Sequence, residues 1–458
     1  LRVRWKQTTR PLRFFIRLCK FPEKVHFIVG NGFFITFRNL QRQTADTKHI
    51  LIKPYSIQHM KKHKLFLCLI AVFFAVVSTH AQAVFQKKYG LNVESRGASS
   101  IRTLDGGYML CGTSGAANSY GGGRILLIKT YSDCNVQWSR NYGGNVAEFI
   151  STVFQNPDGT YMMLGTTYSY SSQPYGDALL MKVSSTGTLL WSKIYTGADS
   201  EYGYDLIRLS NGDFVFAGLT RTLTAGGYDF YIVRTDSVGT PVWMNKFGGV
   251  GNDEAQALVL ADDGNILVMG SGYVTPDGGM MLSKVNVSTG ALMWTKVYGN
   301  GPGGNGSGRD IVPALNGGYY LVGWESGANT LADIYVVKVD NSGTPLWSKA
   351  YGGTDGDYPY DACLTSDGGL AVTGFTTSFG AGGQDIFLLR LDSVGAVQWV
   401  SAFGTAGHEQ SENVLAAYDG GFLLSGSTTT AFFSGVIGMY VIKTDAAGTS
   451  TCLQSSAS

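Results

Sequence analysis

The stretch "SGTPLWSKAYGG", Ser342 to Gly353, is matched almost letter for letter by "STGTLLWSKIYTG" at Ser185–Gly197. In each, a tryptophan is followed four residues later by a tyrosine and then by glycine. The same frame recurs around Trp138, Trp191, Trp243, Trp294, Trp347 and Trp399, at separations of 53, 52, 51, 53 and 52 residues. The endings are "WSRNYGG", "WSKIYTG", "WMNKFGG", "WTKVYGN", "WSKAYGG" and "WVSAFGT". Phe85 of "FQKKYG" stands 53 residues before Trp138, and Cys452 stands 53 after Trp399. Those eight slots bound seven repeats, the series opening on phenylalanine in the tryptophan slot and closing without an aromatic there. A period near 50 with Gly-rich turns marks a repeat architecture.

Each repeat divides into four short runs. In the sixth, "YPYDACLT" leads through the turn "SDGG" to "LAVTGFTT"; the loop "SFGAGGQ" then leads to "DIFLLRLD", the turn "SVGA" and "VQWVSAFG". The runs are rich in β-branched and aromatic residues and bounded by glycine and aspartate, as strands are. "DIFLLRLD", like "DIYVVKVD" at Asp333–Asp340, is almost continuously apolar and reads as a strand buried on both faces. No run keeps a period of 3.6, which excludes a helical solenoid. Four strands in each of seven repeats predict an all-β fold, a seven-bladed β-propeller of four-stranded antiparallel blades. The tryptophan then belongs to the fourth, outer strand and fills the gap between neighbouring sheets. The Asp-x-x-Gly turn before it closes a hairpin, and the glycines after the tyrosine are expected to free the chain to cross to the next blade.

The ring has to be closed across the termini. The seventh repeat supplies "HEQSENVLAAYDGG", "FLLSGST" and "GMYVIKTD", but "TSTCLQSSAS" after Gly448 has no tryptophan and no Tyr-Gly ending. "VFQKKYG", Val84–Gly90, has the fourth-strand pattern and no blade before it. It is expected to pair beside Met439–Asp445 as the outer strand of blade seven, which removes an exposed sheet edge.

With 62 Gly, 11 Pro, 44% hydrophobic and 15% charged residues in 458, the chain is too apolar to be disordered. Its formal charge of +2 averages two unlike parts. Residues 1–83 hold 15 of the 35 Lys+Arg and two of the 33 acids, Glu23 and Asp46; the remainder therefore carries 20 basic and 31 acidic residues, a net of −11. Such a domain repels nucleic acid and anionic membrane. Within the basic part, Met60 opens "MKKHKLFLCLIAVFFAVVSTHAQA", with Lys61, Lys62 and Lys64 before the 13 apolar residues Leu65–Val77 and a small-residue exit at Ala81–Ala83. Residues 60–83 read as a signal peptide. Thirteen residues of helix reach only about 20 Å, short of a hydrocarbon core of roughly 30 Å, so no membrane span is expected after cleavage. Residues 1–59 read as translated upstream sequence outside the native protein, and 84–458 as the propeller.

The recurring pattern W-x-K-x-(Y/F)-G-G, then D-G-G-(Y/F), then D-x-(Y/F)-x-(V/I/L)-(K/R)-x-D-x-x-G resembles the tandem repeats of secreted propellers from bacteria that use type IX secretion, and is more distantly similar to quinoprotein-type blades. The resemblance covers about 84–452 and implies fold and export rather than activity. Such proteins commonly carry a C-terminal sorting domain, a pattern the stretch up to Ser458 lacks. Periplasm, cell surface and medium all stay open as destinations.

Residues recurring in every blade are most simply scaffold. Lys129, Lys182, Arg234, Lys284, Lys338, Arg390 and Lys443 share one position in the third strand, and Asp236, Asp340, Asp392 and Asp445 follow two residues later on the same face. An intra-blade ion pair fastening the turn is expected, in preference to a cationic ring for an anionic ligand. The DGG stretches at Asp105, Asp367 and Asp419 read as turns rather than calcium loops. Catalytic constellations are thin. His408 is the one histidine after residue 83, and no nucleophile elbow, Walker loop or Cys-x-x-Cys occurs. The vicinal cysteine pair frequent in quinoprotein dehydrogenases is absent too. "GNGPGGNGSG" at Gly299–Gly308 reads as a flexible connector. Cys111 and Cys363 fall in strands as buried thiols, while Cys134 and Cys452, both at the closing junction, could bridge.

Short turns on one face leave the other face to long loops that differ from repeat to repeat. They carry exposed-looking aromatics: Tyr168, Tyr170, Tyr175, Tyr202, Trp324, Tyr358, Phe379 and Phe432. These are the candidate binding residues. In the first strands, Asp205, Asp310, Asp361 and Asn413 hold equivalent places near the axis. Their field would suit a hydrated calcium ion; the rival role is hydrogen bonding to the neighbouring blade's backbone. The sequence thus points first to a monomeric, exported, non-catalytic module binding a glycan or protein on the loop-rich face, with no catalytic residue assigned. The alternative is a hydrolase or lyase of an extracellular polymer using carboxylates near the central channel.

Overall fold

The runs read in each repeat are strands, and their order is the same in every blade. The computed structural model describes residues 24–29, 33–38, 84–90, 94–115, 123–171, 175–222, 226–272, 278–299, 305–327, 331–429, 437–450 and 454–456. Lys24–Val29 and Phe33–Arg38 pair as an antiparallel hairpin in a unit of their own. The second unit is the propeller. Blade one comprises Ser95–Arg102, Tyr108–Ser114, Arg124–Thr130 and Val136–Tyr142, hydrogen-bonded in that order from first strand to fourth. Blades two to six repeat this, beginning at Glu148, Glu201, Glu254, Asn305 and Asp357 and ending at Tyr195, Phe247, Tyr298, Tyr351 and Phe403. Among the described residues there is no helix long and apolar enough to cross a membrane.

Blade seven takes Glu409–Ala416, Phe422–Thr428 and Gly438–Lys443 from one end of the chain and Phe85–Tyr89 from the other. The pairing runs antiparallel from Phe85 opposite Lys443 to Tyr89 opposite Met439. The expected closure is present. Gln454–Ser456, whose composition carries no strand signal, adds to the outer edge of blade six, with Ser456 opposite Ser401. Asn305–Gly308, read as connector, is likewise the start of blade five's first strand. Their glycine and serine content hides a ladder that neighbouring backbone supplies.

The core is distributed. Each of seven apolar clusters joins the facing sheets of two adjacent blades, and each has the fourth-strand aromatic at its rim: Trp138, Trp191, Trp243, Trp294, Trp347, Trp399 and, at the seven–one junction, Phe85. The third strands are buried along almost their whole length, whereas the fourth are largely exposed apart from the tryptophan and the closing aromatic. Each tryptophan lies on a turn of the next blade. A Cβ added to Gly395 would stand 2.8 Å from Trp347 and 2.9 Å from Tyr351 Oη, and Gly187, Gly239, Gly290, Gly343 and Gly448 face the preceding blade's tryptophan in the same way. All six have φ between +71° and +82°, where a side chain is strained in any case. The tyrosine four residues on donates its hydroxyl to the same turn: Tyr142 to Gly187 O at 2.6 Å, Tyr195 to Gly239 O at 2.8 Å, Tyr298 to Gly343 O at 2.6 Å and Tyr351 to Gly395 O at 2.7 Å. At the closing junction Tyr89 donates to Cys134 O at 2.6 Å, and Cys134 adopts φ +56° in the glycine's place. Cys134 is a buried free thiol, as is Cys111; Cys452 lies outside the described residues.

Six of the seven third-strand cations make intra-blade ion pairs, but with a different partner from the one expected; the seventh, Lys338, donates to Gly317 O at 3.2 Å. Lys129 meets Asp105 at 2.9 Å, Arg234 meets Asp213 at 2.7 Å, Lys284 meets Asp263 at 2.7 Å, Lys443 meets Asp419 at 2.8 Å, and Arg390 and Lys182 meet Asp367 and Asp158. The partner is therefore the aspartate of the first-to-second-strand turn. Asp236, Asp340, Asp392 and Asp445 instead accept two backbone amides each within their own turns. A carboxylate opening a turn is closer to those amides than to a cation two residues behind it.

Deleting Val84–Gly90 is expected to lower the melting temperature far more than deleting Leu453–Ser458. The first removes a five-residue ladder and the packing of Phe85, worth about 2 kcal/mol by itself. Equal melting of the two truncations would contradict the closure.

Candidate functional site

Every first strand is interrupted by a bulge at the same point, between Gly97 and Ser99, Ile150 and Thr152, Gly203 and Asp205, Ala255 and Ala257, Gly308 and Asp310, Pro359 and Asp361, and Ser411 and Asn413. An extra residue in one strand bends it and re-aims its side chain. Here the extra residues Ala98, Ser151, Tyr204, Gln256, Arg309, Tyr360 and Glu412 converge on an axial cavity of about 360 Å³. No two neighbouring blades contribute the same residue.

The residues just after the bulges tie blade to blade. Asp205 Oδ2 accepts Leu258 N of blade four at 2.9 Å, Asp310 Oδ2 accepts Ala362 N of blade six at 3.0 Å, and Asp361 Oδ2 accepts Val414 N of blade seven at 2.7 Å. Asn413 Oδ1 accepts Ser100 N of blade one at 3.0 Å. These side chains are thus brought together around the axis with their oxygens directed at neighbouring main chain. Burial raises the pKa of all three aspartates, and the adjoining carboxylates raise those of Asp310 and Asp361 further.

Above this girdle stands Arg309. Its guanidinium lies 5.4 Å from the Tyr360 ring centroid, and its Nε has no acceptor. Glu254 and Glu412 both feel its charge. Burial nevertheless dominates: it raises Glu254, and it pushes Glu412 up to about 7 against the pull of Arg309 and Arg96. Gln256 Nε2 donates to Glu254 Oε2 at 3.1 Å. Arg309 therefore stands in the axial cavity as a fixed cation whose charge acts on two carboxyl groups, Glu254 and Glu412, the second poised to hold or lose a proton near neutrality.

Glu254 also lines a larger cleft of about 500 Å³ over blades four to six. Asn252, Asn305, Ser307 and Ser326 bring polar groups to it, and Trp324 and Tyr358 form an aromatic wall. Their rings meet edge to face at 5.7 Å, Tyr358 stacks on Phe375 at 5.0 Å, and Trp324 Nε1 has no acceptor. A second group joins Tyr168 to Tyr202 through their hydroxyls at 2.7 Å, with Phe149 edge-on to Tyr168.

The aromatics expected to be exposed are therefore mostly half-buried. Tyr168, Tyr202, Trp324, Tyr358 and Phe379 pack on neighbouring side chains, Phe379 on the blade five–six cluster; Tyr170 and Tyr175 are exposed, and Phe432 lies outside the described residues. The reason is position: Tyr202, Trp324 and Tyr358 are strand residues, not loop residues. Sequence reading does not single out Arg309, Glu254 or Glu412. The available signal is the residue before each Asp/Asn of the axial series, which changes from blade to blade while its neighbour repeats.

The chain is similar in structure to the Neurospora crassa Pan2 WD40 domain, at 9% identity, TM-score 0.47, and coverage of 81% of this chain and 96% of that one. It is also similar to a protein of unknown function from Dyadobacter fermentans, at 10% identity, TM-score 0.47, and coverage of 79% and 98%. A third likeness is to Penicillium chrysogenum α-L-arabinanase complexed with arabinobiose, at 13% identity, TM-score 0.44, and coverage of 64% and 92%. No protein-family model matches the chain, and no curated protein does. The propeller rests on its strand order, and function has to be argued from the site.

Because the native Glu412 value lies above the ordinary 4.5, the folded protein keeps a proton that the unfolded chain releases between about pH 4.5 and 7. Stability therefore falls as pH rises through that window. Glu412→Gln is expected to flatten this part of a melting-temperature profile; an unchanged slope would show that Glu412 does not titrate there.

Proposed function

We propose that the protein is an exported, non-catalytic binding module that engages a glycan at the mouth of the propeller over blades four to six. The observation that carries this reading is the composition of the 500 Å³ cleft. A sugar ring has apolar C–H faces and hydroxyl edges, and it is complemented by an aromatic wall beside convergent amide, hydroxyl and carboxylate groups. Trp324 and Tyr358 supply the wall, Asn252, Asn305, Ser307 and Glu254 the edges. Arg309 would orient the deepest unit of a bound chain, and the exposed Tyr170 and Tyr175 extend the same face.

One observation favours a second reading. A carboxyl with a pKa near 7 is suited to give a proton to a leaving group, so Glu412 with Glu254 is the pair on which polymer hydrolysis would depend.

A glycan array run beside a turnover assay on the same panel separates the two. Trp324→Ala and Tyr358→Ala are expected to weaken glycan binding about 10-fold or more, the equivalent of about 1.4 kcal/mol for each aromatic contact. Glu412→Gln should leave binding in place with no turnover to lose. Unaltered affinity in both aromatic variants would end the cleft reading. Cleavage of the bound glycan that disappears in Glu412→Gln would replace the binding module with the hydrolase.

A further inference from the structure

The glycine that follows the fourth-strand aromatic has the positive φ expected of it at Gly90, Gly143 and Gly299, but not at the two junctions that flank blade six. Gly352 and Gly404 have no positive φ. They are glycines because carboxylates occupy the space where a side chain would be. A Cβ on Gly352 would collide with Asp333 Oδ1 of blade five and stand 3.0 Å from Asp357 Oδ2 of blade six. A Cβ on Gly404 would collide with Asp385 Oδ1 of blade six and stand 2.9 Å from Glu409 Oε2 of blade seven. In both places an aspartate opening a third strand meets the acid opening the next blade's first strand, 24 residues later in the chain.

We propose that these two blade junctions, five–six and six–seven, are calcium sites, each holding one Ca²⁺ between its paired carboxylates. Charge is the first argument. No lysine or arginine among the described residues forms an ion pair with any of the four acids. Two like charges withdrawn from water next to each other are costly unless a cation or a proton joins them, and one divalent ion neutralises the pair.

Unused oxygens are the second, independent argument. Asp357 and Asp385 are each 1% exposed, yet Asp357 Oδ1 and Asp385 Oδ1 have no hydrogen-bond partner. Their other oxygens are held in place. Asp357 Oδ2 accepts Gly353 N at 2.8 Å and Ser378 Oγ at 2.7 Å; Asp385 Oδ2 accepts Ala381 N at 3.0 Å and Gly382 N at 3.3 Å. Glu409 is anchored by Thr405 N at 2.9 Å and Thr428 Oγ1 at 2.7 Å. At Gly404 the unpartnered Asp385 Oδ1 faces the same space as Glu409 Oε2, and at Gly352 the pre-set Asp357, with its second oxygen unused, stands beside Asp333; such carboxylates are donors for a hard cation. The described residues gather no group of three or more His, Cys, Asp or Glu side chains, so main-chain oxygens and water must complete the shell. Calcium accepts such mixed, irregular shells of six to eight oxygens, whereas magnesium demands a tighter octahedron.

The two related pairs are excluded on their own chemistry. Asp177 hydrogen-bonds Glu201, which a shared proton satisfies, and Lys246 supplies a nearby positive charge to Asp229 opposite Asp253.

The proposal is independent of the glycan reading, and so is its test. The full chain, stripped with a chelator, is titrated with CaCl₂ by calorimetry and by melting. Two ions per chain and a melting temperature higher by several degrees are expected. Asp357→Asn and Asp385→Asn should each reduce the count to one, while Asp361→Asn in the axial girdle keeps two. Absence of heat and of any melting shift at millimolar calcium would overturn the proposal. So would loss of calcium binding in Asp361→Asn alone, which would move the ion to the channel. A melting temperature raised by Asp385→Asn without calcium, with the ion count unchanged, would show that the pair shares a proton instead.

Discussion

The propeller depends on one contact made over and over: the aromatic pair of a fourth strand closing on the turn glycine of the next blade. Trp347 covers Gly395 and Tyr351 donates to its carbonyl, and the same arrangement recurs from blade to blade. Its parts constrain one another. The left-handed turn admits only glycine without strain, the absent side chain admits the indole, and the indole holds the tyrosine hydroxyl over the carbonyl. A four-stranded sheet cannot bury both its faces alone, so each blade is stable only through its two neighbours. The terminal strand matters for that reason: Phe85 and Tyr89 repeat the contact on Cys134 and leave no blade with an open side.

That contact is legible in the sequence because it is written at constant spacing. So are the blade count, the strand order and the closing strand. What cannot be read there depends on which residues fold back onto which. Along their own strand, the third-strand cations have an aspartate two residues away as the obvious partner. A hairpin turn some 20 residues earlier delivers Asp105, Asp213 or Asp367 instead, while the nearer aspartates are occupied by turn amides. Tyr202, Trp324 and Tyr358 look exposed because glycine and serine surround them, yet they lie in strands and pack on one another. The junction carboxylates escape notice although their separation of 24 residues is constant, since each member alone reads as an ordinary strand-opening aspartate or glutamate.

Repetition also marks where function can reside. The axial series Asp205, Asp310, Asp361 and Asn413 is shared because it does one job, receiving a neighbour's amide. The bulged residues immediately before them, Tyr204, Arg309, Tyr360 and Glu412, differ in size, charge and polarity although their backbone is the same. A uniform scaffold thus holds a non-uniform lining. Arg309, whose charge acts on both Glu254 and Glu412, gives that lining an orientation no single repeat possesses.

The inter-blade contact can be separated from simple backbone strain by comparing two glycine-to-alanine changes. Gly395 and Gly264 have φ of +73° and +79°, so alanine carries a similar conformational cost at both. A Cβ at Gly264 meets nothing within 4 Å, whereas one at Gly395 meets Trp347 and Tyr351. Thermal or denaturant unfolding of Gly395→Ala is predicted to show a loss about 1–3 kcal/mol greater than Gly264→Ala. Equal losses would contradict the account that this contact holds the blades together.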